Sequence, residues 1–321
     1  MAQVATRPFW CVSLNPAIDK RVRVAELIPG AVNRISNVRA EPGGKAAHVA
    51  MVLRTLGADP LWFGFTGGST GESVLEGLRK LNIRAHPANI SADTRVNLEI
   101  IDDRGVVTEL LEPGSPIAQK DWDSFFEVYE NMLATEKTPG TVIASGSLPP
   151  GAEPAVYARL TEVTHRHGHR IFLDTSGEPL RLALGNDPDF VKPNREEAEL
   201  LIGEKIGDRH AAKTAVRRLI QLGAKSAVVS LGPQGLVWQS ASERSVYHVE
   251  AARVDAKSSV GSGDATVAAF AYADSAGFGV EQALRLAAAA GAANCLAEAP
   301  GRARESDIRS LETQARIERL D

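Results

Sequence analysis

The stretch from residue 258 to residue 264 reads Ser-Ser-Val-Gly-Ser-Gly-Asp, and a run of small and apolar residues follows it. Gly261 and Gly263 can adopt backbone angles that other residues avoid, so consecutive N–H groups can turn toward one point. A helix that begins near Asp264 would add its own unpaired N–H groups and the positive end of its dipole. The stretch therefore predicts an anion-binding loop with a carboxylate beside it, which suits phosphoryl transfer to a hydroxyl.

The elements that must position this loop alternate along most of the chain. Short apolar runs predict strands, and longer runs predict the helices 46–56, 72–81, 121–134, 154–167, 195–202, 208–222, 264–277, 280–297 and 305–318. Strands that helices separate form a mostly parallel sheet with helices on both faces, and ligands bind beyond the carboxyl ends of such strands. Loops rich in Gly, Asp, Asn and Ser follow these strands, which predicts one shared site formed by 145–147, 174–177, 192–194 and 230–232.

Two clusters of shorter strands interrupt this alternation. Residues 20–24 alternate charged and apolar side chains, and 33–40 do so more weakly. Residues 95–101 and 106–111 are apolar runs joined by an Asp-Arg-Gly turn, which favours a hairpin. Alternation is typical of strands with one wet face, so these segments predict a small separate sheet that covers part of the molecule.

Composition excludes several classes of protein. Hydrophobic residues make up 44% of the chain, charged residues 24%, and the net charge is −4, which argues against a nucleic-acid or membrane-surface partner. Cys11 and Cys295 are far apart and match no metal-binding spacing, so a reduced, cytoplasmic protein is expected. Residues 1–10 contain one Arg and no long apolar run, and they resemble neither a signal peptide nor a membrane span.

Neither standard nucleotide-binding motif is present in the glycine-rich segments. A P-loop needs Gly-x4-Gly-Lys-Ser/Thr, but Arg39 stands at the first glycine position and Ala46 follows Lys45. A Rossmann fingerprint at 261–266 fails because Thr266 takes the place of the third glycine. The sequence supports neither of those nucleotide-binding folds.

Six motifs, taken in order, resemble the ribokinase-like PfkB carbohydrate kinases, in particular the 1-phosphofructokinase and tagatose-6-phosphate kinase branch. They are Ser-Leu-Asn-Pro-Ala-Ile-Asp (13–19), Pro-Gly-Gly-Lys (42–45), Thr-Arg-Val-Asn (94–97), Gly-Ser-Leu-Pro-Pro-Gly (146–151), Lys-Pro-Asn-Arg-Glu-Glu (192–197) and Val-Gly-Ser-Gly-Asp (260–264). The resemblance covers nearly the whole chain and implies a three-layer α/β/α fold with a mostly parallel central sheet and a small β-sheet lid. It places the α/β domain at 1–13, 41–87 and 116–321, and the discontinuous lid at 14–40 and 88–115.

The resemblance implies an ATP- and Mg²⁺-dependent reaction at the loop described first. Asp264 would take the proton of the acceptor hydroxyl as that hydroxyl attacks the γ-phosphate. The N–H groups of Val260, Gly261, Ser262 and Gly263 would stabilise charge on the transferring phosphoryl group. The alternative for Asp264 is a local role, in which its carboxylate accepts hydrogen bonds from N–H groups of the first helical turn.

Residues for the nucleotide and the metal ion follow from the same resemblance. Lys192 would face the nucleotide phosphates, and Asn194 with Glu197 would organise Mg²⁺ and its waters, Glu197 indirectly. The alternative for this pair is a helix capping box. Four further residues would lie near the nucleotide, with close packing of helices as their alternative: Ser230, Gly232, Gly235 and Asn294.

The sugar site would be formed by residues from the first third of the chain. Asp19 would hydrogen-bond sugar hydroxyls, Asn97 would also meet the sugar, and Gly43 with Gly44 would let the sugar approach the backbone closely. Lys45 and Arg95 are candidates for the phosphate that the sugar already carries, because a dianion favours paired donors. Their alternative is ordinary surface charge.

His48 departs from the pattern of the family. That branch usually reads Gly-Gly-Lys-Gly-Ile-Asn-Val-Ala, whereas this chain has Ala-Ala-His-Val-Ala after Lys45. Imidazole replaces an amide that is expected to touch the sugar, and it can become charged near neutral pH. His48 is therefore a candidate sugar-binding residue that leaves the identity of the acceptor open.

The expected reaction is phosphorylation of a phosphorylated ketohexose, with fructose 1-phosphate giving fructose 1,6-bisphosphate. Tagatose 6-phosphate, fructose 6-phosphate or a sugar without phosphate are alternative acceptors. A non-catalytic sugar or nucleotide sensor on the same fold is the alternative from another class. The lid strands are also candidates for a homodimer interface, because apolar side chains such as Val96, Leu98 and Ile100 need cover.

Overall fold

The computed structural model describes residues 7–321, so the first six residues of the predicted segment 1–13 lie outside it. Within that range the chain forms fourteen strands and ten helices. The strands are β1 (Phe9–Ser13), β2 (Ala17–Arg23), β3 (Asn37–Gly43), β4 (Pro60–Thr66), β5 (Arg84–Asn89), β6 (Arg95–Ile101), β7 (Val107–Leu111), β8 (Thr141–Ser145), β9 (Arg170–Asp174), β10 (Phe190–Val191), β11 (Ser226–Ser230), β12 (Leu236–Ser240), β13 (Tyr247–Glu250) and β14 (Arg316–Arg319). The helices are α1 (Lys45–Thr55), α2 (Gly68–Lys80), α3 (Gln119–Thr135), α4 (Val156–Arg166), α5 (Gly177–Leu184), α6 (Arg195–Ile202), α7 (Arg209–Gln221), α8 (Ser262–Ser275), α9 (Val280–Leu296) and α10 (Glu305–Glu312).

Ten strands form one large sheet in the order β14-β13-β12-β11-β10-β9-β8-β1-β4-β5. The strands from β11 to β5 in that order pair in parallel, and β12, β13 and β14 are antiparallel additions at one edge. Neighbouring residues of β1 enter different hydrophobic clusters, Cys11 on one face and Val12 on the other. The sheet therefore divides the core into two halves, each covered by helices, and the predicted mostly parallel α/β architecture is confirmed.

A second sheet has four strands in the order β3-β2-β6-β7. In its register Asp19 lies between Glu41 and Asn97, so the three polar side chains project from one face. Val22 lies between Val38 and Ile100 and projects from the opposite face, where Val22 and Ile100 share a small hydrophobic cluster. The alternation that predicted these strands thus separates a polar face from an apolar face.

Four elements differ from the sequence prediction. Strand β5 and helix α5 were not predicted, and the helix predicted over 305–318 ends at Glu312. The residues after it form β14, an edge strand whose mostly charged, exposed side chains gave no apolar signal for a strand. No helix within residues 7–321 is long and apolar enough to cross a membrane.

The predicted boundaries of the lid also differ from the ends of the strands by two or three residues. Strand β3 continues to Gly43, past the predicted boundary at 40, and β5 of the large sheet continues to Asn89, past the one at 87. Pairing of β3 with β2 extends the small sheet to the residue that precedes Gly44 and α1. The division of the chain into an α/β domain and a lid remains a prediction.

Candidate active site

Helix α8 begins with the glycine-rich loop, and its N-cap is Gly261 in the left-handed conformation (φ 79°). A side chain at Gly261 would also collide with Pro300, because a Cβ there would lie 2.8 Å from the Pro300 Cβ. The helix begins at Ser262 rather than near Asp264, which places Asp264 inside the first turn. Its carboxylate bonds a side chain of another helix and caps no N–H group, so the local alternative for Asp264 is not what the structure shows.

Two of the four N–H groups expected in the anion-binding loop are already used. The N–H of Val260 donates to Ser258 Oγ at 3.2 Å, and the N–H of Ser262 donates to Ser259 O at 3.2 Å. The N–H groups of Gly261, Gly263 and Asp264 have no acceptor in the part of the chain that the structure describes. These three donors, rather than that of Ser262, are available to an anion at the start of α8.

Lys192 places a positive charge beside these donors. Its side chain is buried, and its Nζ lies 3.0 Å from the position that a Cβ would take at Gly263. Lys192 therefore lies beside the glycine-rich loop, although nothing in the sequence between β10 and α8 specifies this contact. Its contact with nucleotide phosphates remains a prediction.

His48 lies between two carboxylates and contacts both with its ring nitrogens. Nδ1 is 2.8 Å from Asp264 Oδ2, and Nε2 is 3.1 Å from Asp19 Oδ2. Burial alone would lower the pKa of His48, but the hydrogen bonds and negative charges of Asp19 and Asp264 raise it to about 10. Both ring nitrogens are thus engaged by protein groups.

Asp19 is the polar centre of the lid sheet. Its Oδ1 accepts a hydrogen bond from Asn97 Nδ2 at 2.8 Å, and its carboxylate also accepts one from the Gly44 N–H. Burial acts to raise the pKa of Asp19, but these bonds and the contact with His48 leave it below its usual value. A Cβ at Gly43 would lie 2.1 Å from the carboxyl group of Asp19. The absence of a side chain at Gly43 therefore makes room for Asp19.

Asp174 belongs to the predicted site loop 174–177, but the sequence analysis gave it no role of its own. It is buried at the end of β9, and its two oxygens each lie 3.4 Å from an ammonium group, that of Lys192 and that of Lys45. Burial would raise its pKa, but the two lysines lower it. Its position in the polar loop after a parallel strand was the available signal. Lys45 is consequently an ion-pair partner and not a free surface charge.

Lys45 also interacts electrostatically with the other acidic side chains of the site. Burial would lower the pKa of its ammonium, but the charges of Asp174, Asp264 and Glu197 raise it. Three carboxylates from α6, α8 and β9 are therefore grouped around one lysine of α1. The structure thus places residues predicted for the sugar and residues predicted for the nucleotide close together.

Arg95 lies at the opposite edge of this site, where β6 begins. Its guanidinium donates to the carbonyl of Asn15 at 3.2 Å and to that of Glu112 at 2.8 Å. Burial lowers its pKa, and the charges of Asp19 and Glu112 act in the opposite direction. Its contact with a sugar phosphate remains a prediction.

Asn194 and Glu197 form the capping box that was the alternative to a metal role. The Asn194 side chain accepts from the Glu197 N–H at 2.9 Å, and the Glu197 carboxylate accepts from the Asn194 N–H at 2.8 Å. Within residues 7–321 no group of three His, Cys, Asp or Glu side chains has the geometry to enclose a metal ion. A contact with Mg²⁺ through water remains a prediction for this pair.

The remaining predicted nucleotide residues have structural roles that their positions explain. Asn294 is buried, donates to Val260 O at 2.8 Å and accepts from the Gly301 N–H at 2.8 Å, so it fixes the anion-binding loop. Gly235 (φ 87°) faces the Val249 carbonyl, which a Cβ would approach to 1.9 Å. Ser230 pairs with the backbone of Asn194, and Gly232 begins a short 3₁₀ turn after β11. Their contacts with a nucleotide remain predictions.

A family model described as pfkB family carbohydrate kinase matches residues 12–306. The chain belongs to the PfkB family of carbohydrate kinases. It is 29% identical over 312 residues to a 1-phosphofructokinase of Bacillus subtilis, which covers 97% of this chain and 100% of that protein. It is 36% identical over 269 residues to a 1-phosphofructokinase of Xanthomonas campestris pv. campestris, which covers 82% of each.

Solved structures of PfkB kinases share the whole architecture. A crystal structure of phosphofructokinase-2 from Escherichia coli in complex with fructose-6-phosphate has a TM-score of 0.87 and 26% identity, and the match covers 97% of this chain and 99% of that one. The predicted ribokinase-like fold class is thereby confirmed. This member of the PfkB family is a sugar-phosphate kinase of the phosphofructokinase type.

Proposed function

We propose that the enzyme transfers the γ-phosphoryl group of ATP to fructose 1-phosphate and forms fructose 1,6-bisphosphate. The observation that carries the reaction is the arrangement at the start of α8. His48 holds Oδ2 of Asp264, and Oδ1 of Asp264 has no hydrogen-bond partner among the described residues. Three free N–H groups and Lys192 lie next to this carboxylate. The names of the two 1-phosphofructokinase relatives support the choice of acceptor.

In the proposed reaction, Oδ1 of Asp264 accepts the proton of the sugar hydroxyl while the hydroxyl oxygen attacks the γ-phosphorus. The new O–P bond forms as the bond to the β-phosphate oxygen breaks, and ADP leaves with the electron pair of that bond. The N–H groups of Gly261 and Gly263 and the ammonium of Lys192 stabilise the charge on the transferring group. These groups are fixed before substrate arrives, because Asn294 holds the loop.

The carboxylates around Lys45 fit Mg²⁺ that is held largely through water. Asp174 is buried, and apart from the ammonium groups of Lys45 and Lys192 at 3.4 Å its oxygens have no hydrogen-bond partner within residues 7–321. The capping box uses Oε2 of Glu197, and Oε1 has no hydrogen-bond partner among the described residues. Mg²⁺ retains several waters in proteins, so Asp174, Asn194 and Glu197 would hold it loosely. When bound, the ion would neutralise phosphate charge.

The lid sheet supplies the proposed sugar site. Asp19 and Asn97 project from its polar face toward α1, where His48 and Lys45 lie. Arg95, at the base of the same sheet, would meet the phosphate of the sugar. Closure of the small sheet over the sugar would exclude water from the reacting groups and so limit hydrolysis of ATP.

A coupled assay that measures ADP formation tests the proposal with fructose 1-phosphate, fructose 6-phosphate, tagatose 6-phosphate and fructose as acceptors. We expect the highest kcat/KM with fructose 1-phosphate. A higher value for another acceptor would overturn that choice and leave the kinase reaction in place. Nucleotide binding without turnover on any acceptor would favour the sensor.

The variant D264N tests the base in the same assay. Turnover should fall by at least ~10²-fold, while ATP binding measured by calorimetry is retained. Unchanged turnover would exclude Asp264 as the base.

A further inference from the structure

We propose that His48 is a positioning residue that joins the lid aspartate Asp19 to Asp264 as a doubly hydrogen-bonded imidazolium, and that it does not bind the sugar. The inference deepens the proposed function and rests on it for the role of Asp264. It assigns to this chain a link that runs from the small sheet through α1 to the first turn of α8.

Geometry requires an extra proton at this link. The two ring nitrogens of His48 lie 2.8 and 3.1 Å from carboxylate oxygens, and an ionised carboxylate can only accept. A neutral imidazole carries one N–H and satisfies one such contact. The two contacts together need either an imidazolium or a protonated carboxyl group.

The surroundings favour the proton on the ring. The titratable groups that face His48 are Asp19 from β2 and Asp264 from α8, and Lys45 is the nearest cation on α1 itself. The loop that packs on the other side presents Gly301, where a Cβ would lie 2.9 Å from the His48 Cα. With the ring charged, the three groups carry one net negative charge, whereas a neutral ring between two ionised acids would leave two. Burial makes that second state costly.

The link has two consequences for the reaction. It occupies Oδ2 of Asp264 and so directs Oδ1 of the same carboxylate toward the space where a hydroxyl can approach. It also fixes Asp19, which already accepts from Asn97, in the orientation that would meet the sugar. Sugar orientation and base orientation are thereby set by one side chain, and no ring N–H of His48 remains for a sugar hydroxyl.

NMR on the full-length enzyme labelled with ¹⁵N in the histidine rings tests the protonation state without any turnover. At pH 8 an ordinary histidine, with a pKa near ~6.5, is mostly neutral. We expect His48, assigned by its loss in H48N, to be doubly protonated at pH 8. His169 is an internal reference for the neutral form, because its buried Nδ1 accepts from the Gly140 N–H. A neutral His48 at pH 8 would overturn the proposal.

The variant D19N provides a second NMR arm that keeps the His48 ring, so the His48 signal is identified by its response to D19N even where H48N does not fold. Removal of one negative partner should lower the pH at which His48 loses its proton. An unchanged midpoint would overturn the link to Asp19. Neither NMR arm requires catalysis. Absence of kinase activity would therefore refute the proposed function, while the NMR measurements would still report the protonation state of His48.

Kinetics of H48N separate positioning from sugar binding. An amide offers a donor to one carboxylate but turns its oxygen toward the other, so one contact is lost. We expect kcat to fall by roughly 10- to 10²-fold, as misplacement of a catalytic group does, with a smaller change in KM. A rise in KM with kcat unchanged would show that His48 binds the sugar directly and would overturn the proposal.

Discussion

The ammonium nitrogen of Lys192 lies 3.0 Å from the position that a Cβ would take at Gly263. Lys192 directly follows strand β10, and a methyl group at Gly263 would force its ammonium to move away from the start of α8. The absence of a side chain at Gly263 lets a buried cation stand beside the free N–H groups.

The variant G263A should separate activity from stability. Alanine favours a helix over glycine by roughly 1 kcal/mol, so the melting temperature should not fall. The added methyl group would displace Lys192 from the anion-binding loop, and kcat should fall by about tenfold or more. G279A is the matched control, because nothing lies within 4 Å of a Cβ at that position. Full activity in G263A would show that Lys192 does not need this approach.

The variant D174N should weaken the enzyme by leaving Lys45 and Lys192 without their shared counterion. We expect kcat/KM for ATP to fall by ~10²-fold, because both ammonium groups lose the charge that holds them. D189N is the control, since Asp189 pairs with Lys225 and His165 away from the site. That variant should lose stability by thermal unfolding but keep its kcat/KM, and equal losses of activity in both variants would contradict a specific role for Asp174.

Arg95 should matter only for an acceptor that carries a phosphate. R95A is expected to raise KM for fructose 1-phosphate by at least ~10-fold and to change KM for fructose much less, because a dianion loses a paired donor. The guanidinium also bonds the carbonyls of Asn15 and Glu112, so R95K, which keeps the charge, controls for these contacts. Equal effects on both acceptors would exclude a phosphate-binding role.

The free energy of unfolding should depend on pH through His48. Its folded pKa, about 10, lies above the value near ~6.5 of an unfolded histidine, so the protonated ring stabilises the folded state. This contribution is complete below pH ~6.5 and is lost as the pH rises through about 10. Denaturant unfolding of wild type and H48N between pH 6 and 10 should show the difference between the two proteins shrink with pH. A constant difference would contradict the shift.

A homodimer through the lid remains a prediction, and the exposed residues of the apolar lid face differ from those first named for it. Ile100 and Leu98 belong to a hydrophobic cluster of the small sheet, and Val96 packs against the main core. On the same face, Val38 of β3 and Leu110 of β7 are 53% and 56% exposed at the two edges. We propose that these edges form the interface between two copies.

Light scattering tests the dimer with L110K and a control. Wild-type protein should have the mass of a dimer, and L110K should shift it to that of a monomer. L200K is the control, because Leu200 is equally apolar, lies on α6 and is 85% exposed. A monomeric wild-type protein, or a dimer that survives L110K and V38K together, would refute this interface.

Much of the fold follows from patterns within single segments. The apolar run 95–101 predicted the bounds of β6, and the segment 195–202 predicted those of α6. Strand β14 and helix α5 have no such pattern. Strand β14 is mostly charged and exposed, and helix α5 begins at a glycine that belongs to the predicted loop 174–177. Periodicity reports burial, so elements at an edge or in short crossovers remain unmarked.

The sequence by itself determined the glycine-rich loop, the alternation of strands and helices, and most of the residues that we propose for the site. Only the tertiary structure decided how these residues are paired. Asp264 lies 216 positions from His48, and the two meet because α8 packs against α1 beside the lid sheet. Asp174 similarly receives Lys45 and Lys192 from two other elements. Local pattern encodes backbone conformation and burial, whereas the partner of a buried charge is fixed by the packing of elements distant in the chain.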